Sequence, residues 1–278
     1  MQDAFAYCAE LVRVADRDRF IASLFAPADR RGALHALYAF NSEIARVRDV
    51  ARAPLPGEIR LQWWSEVISG ERGEEARANP VAAALLAAIG RHQIAVQKLT
   101  DLIEARRFDL YDEPMAGLAD LETYAWKTSS ALFALAAQIL AGTEEAPATG
   151  PAGLAYAIAG LLRAFPGHIA RHQLYVPIEL LDRHQVRRDD LFAGRSSAGL
   201  AAALGELRNI GRRHLAAAHQ PLTALPRQAM PALLPLALVR PALDRLERSD
   251  PWAPAELSPW RRQWLIWRAA RNPARLAG

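Results

Sequence analysis

The chain has 278 residues, of which 51% are hydrophobic, and this is sufficient to bury a substantial core. Its formal net charge of +4 rests almost wholly on arginine, because Lys98 and Lys127 are the only lysines. The basic residues are spread along the chain and mixed with acids, whereas nucleic-acid-binding proteins concentrate them on one element, so we expect no nucleic-acid partner.

No long charged or Gly/Ser tract divides the sequence, and we therefore predict a single domain over residues 1–278. Alanine, leucine and arginine dominate, β-branched residues are sparse, and no stretch alternates apolar and polar residues as a strand would. The fold class predicted from these preferences is all-α.

The single cysteine, Cys8, excludes an intramolecular disulfide and a cysteine-based metal site, and it is consistent with a reducing compartment. The first residues contain acids and lack both a secretory apolar core and an Arg/Ser-rich transit pattern, so we expect an unexported protein. The apolar runs at 80–90 and 230–239 are shorter than the roughly 20 residues that cross a bilayer, and we predict no transmembrane helix.

Apolar periodicity predicts ten helices along the chain. They cover residues 3–15, 29–50, 59–70, 80–92, 93–109, 121–142, 153–177, 198–219, 228–246 and 258–270. Pro27 precedes the second helix, Gly70 is a C-terminal stop, and Asn79 with Pro80 starts the fourth. Pro166 predicts a kink in the helix that starts at 153, and Pro221 a break after the helix that starts at 198.

The stretch LYAFNSEIARVRDV, residues 37–50, places one carboxylate on an otherwise uncharged helix face. At spacings of three and four residues this face carries Tyr38, Asn41, Ala45 and Asp49. Magnesium bound to a diphosphate takes several oxygen ligands, which paired carboxylates on facing helices supply. A lone Asp49 does not meet that requirement.

Two segments resemble the squalene and phytoene synthases. LFAPADRRGALHALYAFNSEIARVRD resembles the segment that ends in the first aspartate-rich motif of that family, DxxxD, and GLLRAFPGHIARHQLYVP is similar to the second, usually NILRDVxED followed by R and Y-x-P. The shared framework residues are Leu37, Tyr38, Ala39, Phe40, Leu162, Arg163, Arg171, Tyr175 and Pro177. This resemblance implies the isoprenoid synthase bundle, with helices 29–50 and 153–176 facing each other across a central cavity.

The acids of both motifs are largely replaced. In the first motif, the leading aspartate corresponds to Ala45 and its neighbour to Arg46, and only Asp49 is kept. In the second motif, the two aspartates correspond to Ala164 and His168, and the glutamate between them corresponds to Gly167. Arg46 also brings a positive charge close to where a cation would bind. We therefore predict no catalytic residue, no metal ligand and no cofactor.

Six segments, in order, resemble the complex I assembly factor 6 branch of this superfamily over roughly residues 7–180: YCAELVR, FIASLFAP, AFNSEIARVRD, LQWWSEVI, YAWKTSSAL and LRAFPGH. This resemblance implies a non-catalytic protein that assists assembly of respiratory complex I and binds a complex I subunit or assembly intermediate. It also implies that the protein is located in the bacterial cytoplasm, peripherally at the inner membrane, or in the mitochondrial matrix if it is eukaryotic.

Two other functions stay open. The first is an active prenyltransferase that condenses two prenyl diphosphates, with magnesium bound by Asp49 and by Glu43 or Asp109. The second is a protein that binds an isoprenoid or another lipid in the cavity without a reaction. We predict that a residual pocket is lined by Tyr38, Asn41, Ala45, Asp49, Tyr156, Gly160, Arg163, Ala164, His168 and Arg171. The small residues Gly160 and Ala164 either form a pocket wall or let two helices pack closely.

Three further patterns have a structural and a functional interpretation. His168 and His172 have metal-ligand spacing but lack a third ligand, so we interpret them as a solvated or capped pair. Asp109 is predicted to pair with Arg106 or Arg163. The stripe of Trp260, Trp264 and Trp267 is predicted to pack in the core, as is Trp63–Trp64; the alternative for the stripe, given its flanking arginines, is an anionic membrane surface.

Overall fold

The computed structural model describes residues 2–51, 53–142, 146–253 and 255–276, and in these residues all regular structure is helical. The α-helices are α1 Gln2–Ala15, α2 Arg17–Ser23, α3 Ala28–Ala45, α4 Val47–Val50, α5 Pro54–Ser69, α6 Gly73–Ala78, α7 Pro80–His92, α8 Val96–Arg107, α9 Leu118–Ala125, α10 Ala131–Ala141, α11 Thr149–Ala170, α12 Ile178–Arg183, α13 Arg188–Phe192, α14 Ala198–Thr223, α15 Met230–Leu233, α16 Val239–Glu247 and α17 Pro259–Arg271. Short 3₁₀ segments cover Phe108–Leu110, Arg227–Ala229, Leu234–Leu238 and Pro273–Arg275, and a π-helical turn covers Trp126–Ser130. The all-α prediction is confirmed.

Local capping chemistry sets several helix boundaries. The Asn79 side chain accepts hydrogen bonds from the backbone N–H groups of Val81 and Ala82, which starts α7 with Pro80 in its first turn. Gly70 ends α5 in the left-handed region, at φ 89°. These boundaries agree with the sequence prediction.

Some predicted helices are interrupted or shifted. The helix predicted over 29–50 ends at Ala45, because Arg46 leaves helical geometry (φ −97°, ψ 5°) before α4. The helix predicted over 93–109 begins at Val96, since Gln93 is left-handed at φ 50° and ends α7. A short helix, α2, occupies the segment between the first two predicted helices.

Proline has the opposite effect from the prediction at two places. The region 228–246 is not one helix but a chain of short α and 3₁₀ turns, because Pro231 and Pro235 lack the N–H that an α-helix needs. By contrast, the break predicted at Pro221 is wrong, because α14 continues through that residue to Thr223. Helix α11 includes Pro166, and the kink predicted there stays a prediction.

The helices pack around one continuous apolar cluster that includes Phe40 and Phe133. Helices α1, α3 and α7 pack together, α11 packs along α14, and α10 contacts both α3 and α11. Helix α17 packs against α2 and the segment Leu234–Leu238, so the C-terminal helix lies beside the N-terminal ones. No helix in the described residues combines the length and the apolar character that a bilayer span needs.

Candidate functional site

A buried arginine lies between the two helices that were predicted to face each other. The guanidinium carbon of Arg19 is 5.7 Å from the ring centroid of Tyr38 on α3 and 4.9 Å from that of Tyr156 on α11. A third ring, that of Phe133, is 5.9 Å away. The space between α3 and α11 at this level therefore holds a permanent positive charge against three aromatic faces.

The charge of Arg19 is balanced within α2 and its cap. The Arg19 side chain is only 7% exposed and pairs with Asp16, which also caps α2 by accepting the Arg19 backbone N–H. The Arg19 Nε atom is buried and has no hydrogen-bond partner. Burial raises the pKa of Tyr38, so its phenol stays neutral beside this cation.

A second buried polar cluster surrounds Asp109. Its carboxylate accepts hydrogen bonds from the Tyr175 hydroxyl at 2.6 Å, from the Tyr124 hydroxyl at 2.8 Å and from the Arg106 guanidinium at 3.1 Å. Gln173 donates to the Asp109 carbonyl oxygen at 3.1 Å. The predicted pairing of Asp109 with an arginine is confirmed for Arg106, and both carboxylate oxygens are occupied by protein donors.

His168 contacts this cluster through Tyr175, and Asp49 is one of its electrostatic neighbours. Its imidazole packs on Tyr175 with ring centroids 4.6 Å apart. Burial and the charge of Arg171 lower the pKa of His168 to about 4, although Asp109 and Asp49 act in the opposite direction. His168 is therefore neutral at physiological pH. Asp49 is exposed at the surface end of this region.

The remaining predicted pocket residues line the region unevenly. Asn41 is buried, and its Oδ1 atom has no hydrogen-bond partner. Three residues are half-buried: Ala45, Arg163 and Ala164. Arg171 is exposed and donates a hydrogen bond to Gln173. A Cβ placed on Gly160 would meet open space, with no heavy atom within 4 Å. Close packing of another helix against Gly160, one of the two interpretations above, is therefore wrong.

The acids proposed for a magnesium site do not converge. Glu43 is half-buried beside Cys8 and Arg60, which are its electrostatic neighbours, and Asp109 is enclosed by its donors. Among the described residues, no three histidine, cysteine, aspartate or glutamate side chains are grouped so that they could hold a metal ion. The residues present do not fit the magnesium cluster that the fold family implies.

Three other patterns are settled by side-chain positions. His172 follows the end of α11 at φ 57° and its ring packs on Phe192, so it does not join His168 at a shared site. The packing predicted for Trp64 is confirmed, since it is 3% exposed and lies edge-on against Phe40. The core packing predicted for the C-terminal stripe is wrong: Trp260, Trp264 and Trp267 are 81%, 50% and 44% exposed.

The profile of the family described as squalene/phytoene synthase matches residues 12–268. The chain belongs to the squalene/phytoene synthase family. It is 30% identical to the NADH dehydrogenase (ubiquinone) complex I, assembly factor 6 of Rattus norvegicus over 251 residues, 89% of this chain and 75% of the relative. It is also 28% identical to a phytoene synthase of Thermus thermophilus over 275 residues, 93% of this chain and 91% of that enzyme.

Solved structures show the same fold. A dehydrosqualene synthase in complex with ligand superposes with a TM-score of 0.81 at 16% identity, covering 97% of this chain and 96% of that one. The predicted isoprenoid synthase bundle is thereby confirmed. Sequence reasoning did not identify Arg19, because its burial depends on α3, α10 and α11 meeting around it and no local pattern marks it.

Proposed function

We propose that this chain is a non-catalytic member of the squalene/phytoene synthase family that assists assembly of respiratory complex I. The observation that carries the proposal is the replacement of all but one of the aligned motif acids by alanine, arginine, glycine or histidine, in a chain similar to complex I assembly factor 6. We propose that it acts without a cofactor on a complex I subunit or assembly intermediate. Its location would be the cytoplasmic face of a bacterial inner membrane, or the matrix side of a mitochondrial one.

The geometry supports loss of catalysis in two ways. Asp109, the one buried carboxylate near the second motif, already accepts from Tyr124, Tyr175 and Arg106 and has no free oxygen for a metal ion. Arg19 places a guanidinium between α3 and α11, and the Asp16 carboxylate beside it is already paired with that guanidinium rather than free for a divalent ion. We propose that the shared fold serves in this chain to bind a protein rather than to carry out chemistry.

Gene deletion with complementation tests the proposal. Deleting the gene should lower assembled complex I, measured by native gel and by NADH oxidation in membranes. Complementation by the Asp49→Ala variant should restore both to the wild-type level, since the proposed role needs no metal ligand. Unchanged complex I after deletion would refute the role in assembly.

An active prenyltransferase is the rival, and the identity to a Thermus phytoene synthase favours it. Purified protein should be incubated with magnesium and labelled farnesyl or geranylgeranyl diphosphate, and calorimetry should measure magnesium-dependent diphosphate binding. We expect neither turnover nor magnesium-dependent binding. Turnover that Asp49→Ala abolishes would establish the rival and overturn the non-catalytic proposal.

Binding of an isoprenoid or other lipid without reaction is a third candidate, and the open space in front of Gly160 favours it. Native mass spectrometry of the purified protein would show a lipid adduct. Gly160→Leu should remove that adduct, because the added side chain would extend into the open space, whereas an adduct that persists would place the lipid elsewhere.

A further inference from the structure

Three of the four exposed tryptophans in the described part of the chain lie on one helix, α17. Trp260, Trp264 and Trp267 repeat at spacings of four and three on α17, and Leu24 and Phe25, which follow α2, are 48% and 41% exposed beside them. We call these five side chains the tryptophan face. They line an open groove of about 720 Å³ between α17 and the α1–α2 corner. Exposed apolar patches of this kind usually mark an interaction site.

The rim of this groove is basic. Arg13, which pairs with Glu10, and Arg17 line it on the α1–α2 side. On the α17 side, the guanidinium carbons of Arg268 and Arg271 lie 4.8 Å and 4.5 Å from the ring centroids of Trp264 and Trp267. Residues 258–278 contain five arginines and no aspartate or glutamate, so the whole C-terminal segment has the same sign of charge.

A second cleft, of about 190 Å³, opens on the next face of α17. Four arginines line it, which we call the arginine cleft: Arg240, Arg261, Arg268 and Arg275. Asp244 is the one acid among its lining residues in the described chain, and it pairs with Arg212, which does not line the cleft, at 3.1 Å. Arg268 joins the cleft to the tryptophan face. Several guanidinium groups around one small cleft are suited to a phosphate.

We propose that the tryptophan face and the arginine cleft form a docking surface for an anionic phospholipid bilayer. Indole rings favour the boundary between headgroups and acyl chains, and arginine favours the negative headgroups. The arginine cleft binds the phosphate of one lipid, while the tryptophan face inserts at the interface. A protein partner would need an apolar surface for the indole rings and, beside it, an acidic patch for the arginines. An anionic bilayer has both features, because its acyl chains are apolar and its headgroups are negatively charged. This inference does not depend on the role in complex I assembly.

Vesicle co-sedimentation tests the surface with the full chain. Neutral phosphatidylcholine vesicles are compared with vesicles containing about one third phosphatidylglycerol. We expect binding to the anionic vesicles, weakened by salt. The double variant Arg261→Gln/Arg275→Gln should lose roughly fivefold in affinity for each arginine removed. Equal binding to neutral and anionic vesicles would overturn the bilayer proposal. So would inorganic phosphate binding, measured by calorimetry, in a protein that does not sediment with anionic vesicles, since the cleft would then bind phosphate alone.

Matched controls separate the surface from general effects. Trp260→Ala with Trp264→Ala should lower vesicle binding about tenfold through lost apolar contact, whereas Trp126→Ala, at a tryptophan that is 56% exposed on another helix, should leave it unchanged. Arg187→Gln is the matched charge control, since that side chain is 76% exposed outside the surface. Equal losses in control and test variants, or wild-type binding by the Trp260/Trp264 variant, would refute the proposal.

A spectroscopic measurement locates the contact directly. Cys8 is the only cysteine, is fully buried, and has its thiol pKa raised to about 12 by burial, so it does not compete for a thiol-reactive dye. Trp260→Cys carrying a polarity-sensitive dye should shift to shorter wavelength with anionic vesicles, and labelled Trp126→Cys should not. A shift without vesicles that depends on protein concentration would instead identify this face as a contact between copies of the chain.

Discussion

At the scale of single residues, the region around the second degenerate motif contains buried polar side chains that are hydrogen-bonded to one another. Asp109 is the centre of one such group, with three side-chain donors from three different elements. A carboxylate in this position connects α8, α9 and the segment after α11. We expect its role in this chain to be structural, so that its replacement changes the stability of the fold.

Asp109→Ala should lower the free energy of unfolding by about 3–5 kcal/mol, because it leaves the buried Arg106 guanidinium without its carboxylate partner. Tyr175→Phe removes one hydrogen bond and should cost about 1 kcal/mol. Urea unfolding measures both. Asp49→Ala, at an exposed carboxylate, is the control and should change stability by no more than about 0.5 kcal/mol. Equal stability of the Asp109 and Asp49 variants would contradict the structural role.

A buried histidine, His35, and a partly buried one, His168, make folding stability depend on pH. Burial and neighbouring arginines lower the pKa values of His35 and His168 from the ordinary 6.5 to about 4. Between these values the unfolded chain binds protons that the folded chain does not, so stability is complete above pH 6.5 and falls as the pH is lowered towards 4. His168→Gln should flatten this dependence in unfolding midpoints measured at several pH values, and the exposed His219→Gln should not. An unchanged slope in His168→Gln would contradict this assignment.

Residue-level prediction from sequence succeeds where partners are close along the chain. The Arg106–Asp109 pair is three residues apart and was predictable from helix geometry. The burial of Arg19 and the exposure of the tryptophan face were not predictable from the sequence. Both depend on which helices, distant in sequence, pack nearby. Helical spacing of tryptophan fits a core stripe and a surface stripe equally well.

At the scale of elements, α11 approaches its neighbours at its N-terminal end and leaves space further along. A Cβ on Gly153 would lie 2.3 Å from the Cα of Ser130 in the π-helical turn, and a Cβ on Gly150 would lie 2.5 Å from the Trp126 ring. The π-turn and these glycines therefore fit each other. Sequence periodicity predicted the helix over 121–142, but a π-turn inserts one residue without changing the apolar pattern enough to be recognised.

Gly153→Ala and Gly160→Ala form a matched pair on this helix. Gly153→Ala should destabilise the protein by about 1–3 kcal/mol, because its Cβ would overlap the backbone of Ser130, which cannot move aside like a flexible side chain. Gly160→Ala should stabilise it by up to about 1 kcal/mol, since its Cβ meets no atom and alanine favours a helix interior. Urea unfolding of both variants gives the comparison. Destabilisation by Gly160→Ala would show that the space in front of it is filled.

At the scale of the whole molecule, composition and the two degenerate motifs were sufficient to predict an all-helical isoprenoid synthase bundle. They could not predict how the C-terminal helix packs against the N-terminal helices, because this packing depends on contacts between residues far apart in sequence. Helix α17 is attached to α2 through Arg262, which donates to Asp18, and the Nε–Oδ1 distance is 2.9 Å. Asp18 is 5% exposed, so this ion pair links the two ends of the fold where little water reaches.

A prediction follows that distinguishes the contribution of the Arg262–Asp18 ion pair to stability from the contribution of apolar helix packing. Arg262→Gln should cost about 3 kcal/mol in unfolding free energy, because it leaves the buried Asp18 carboxylate without a cation. Adding Asp18→Asn should recover part of that loss, since a neutral amide is easier to bury, and a double-mutant cycle should give a coupling above about 0.5 kcal/mol. Arg261→Gln, one residue earlier and exposed, should be close to neutral in the absence of lipid. If the Arg262 and Asp18 effects simply add, α17 is held by its apolar contacts with α2 and Leu234–Leu238 alone, and the charge pair does not determine how the two ends of the chain meet.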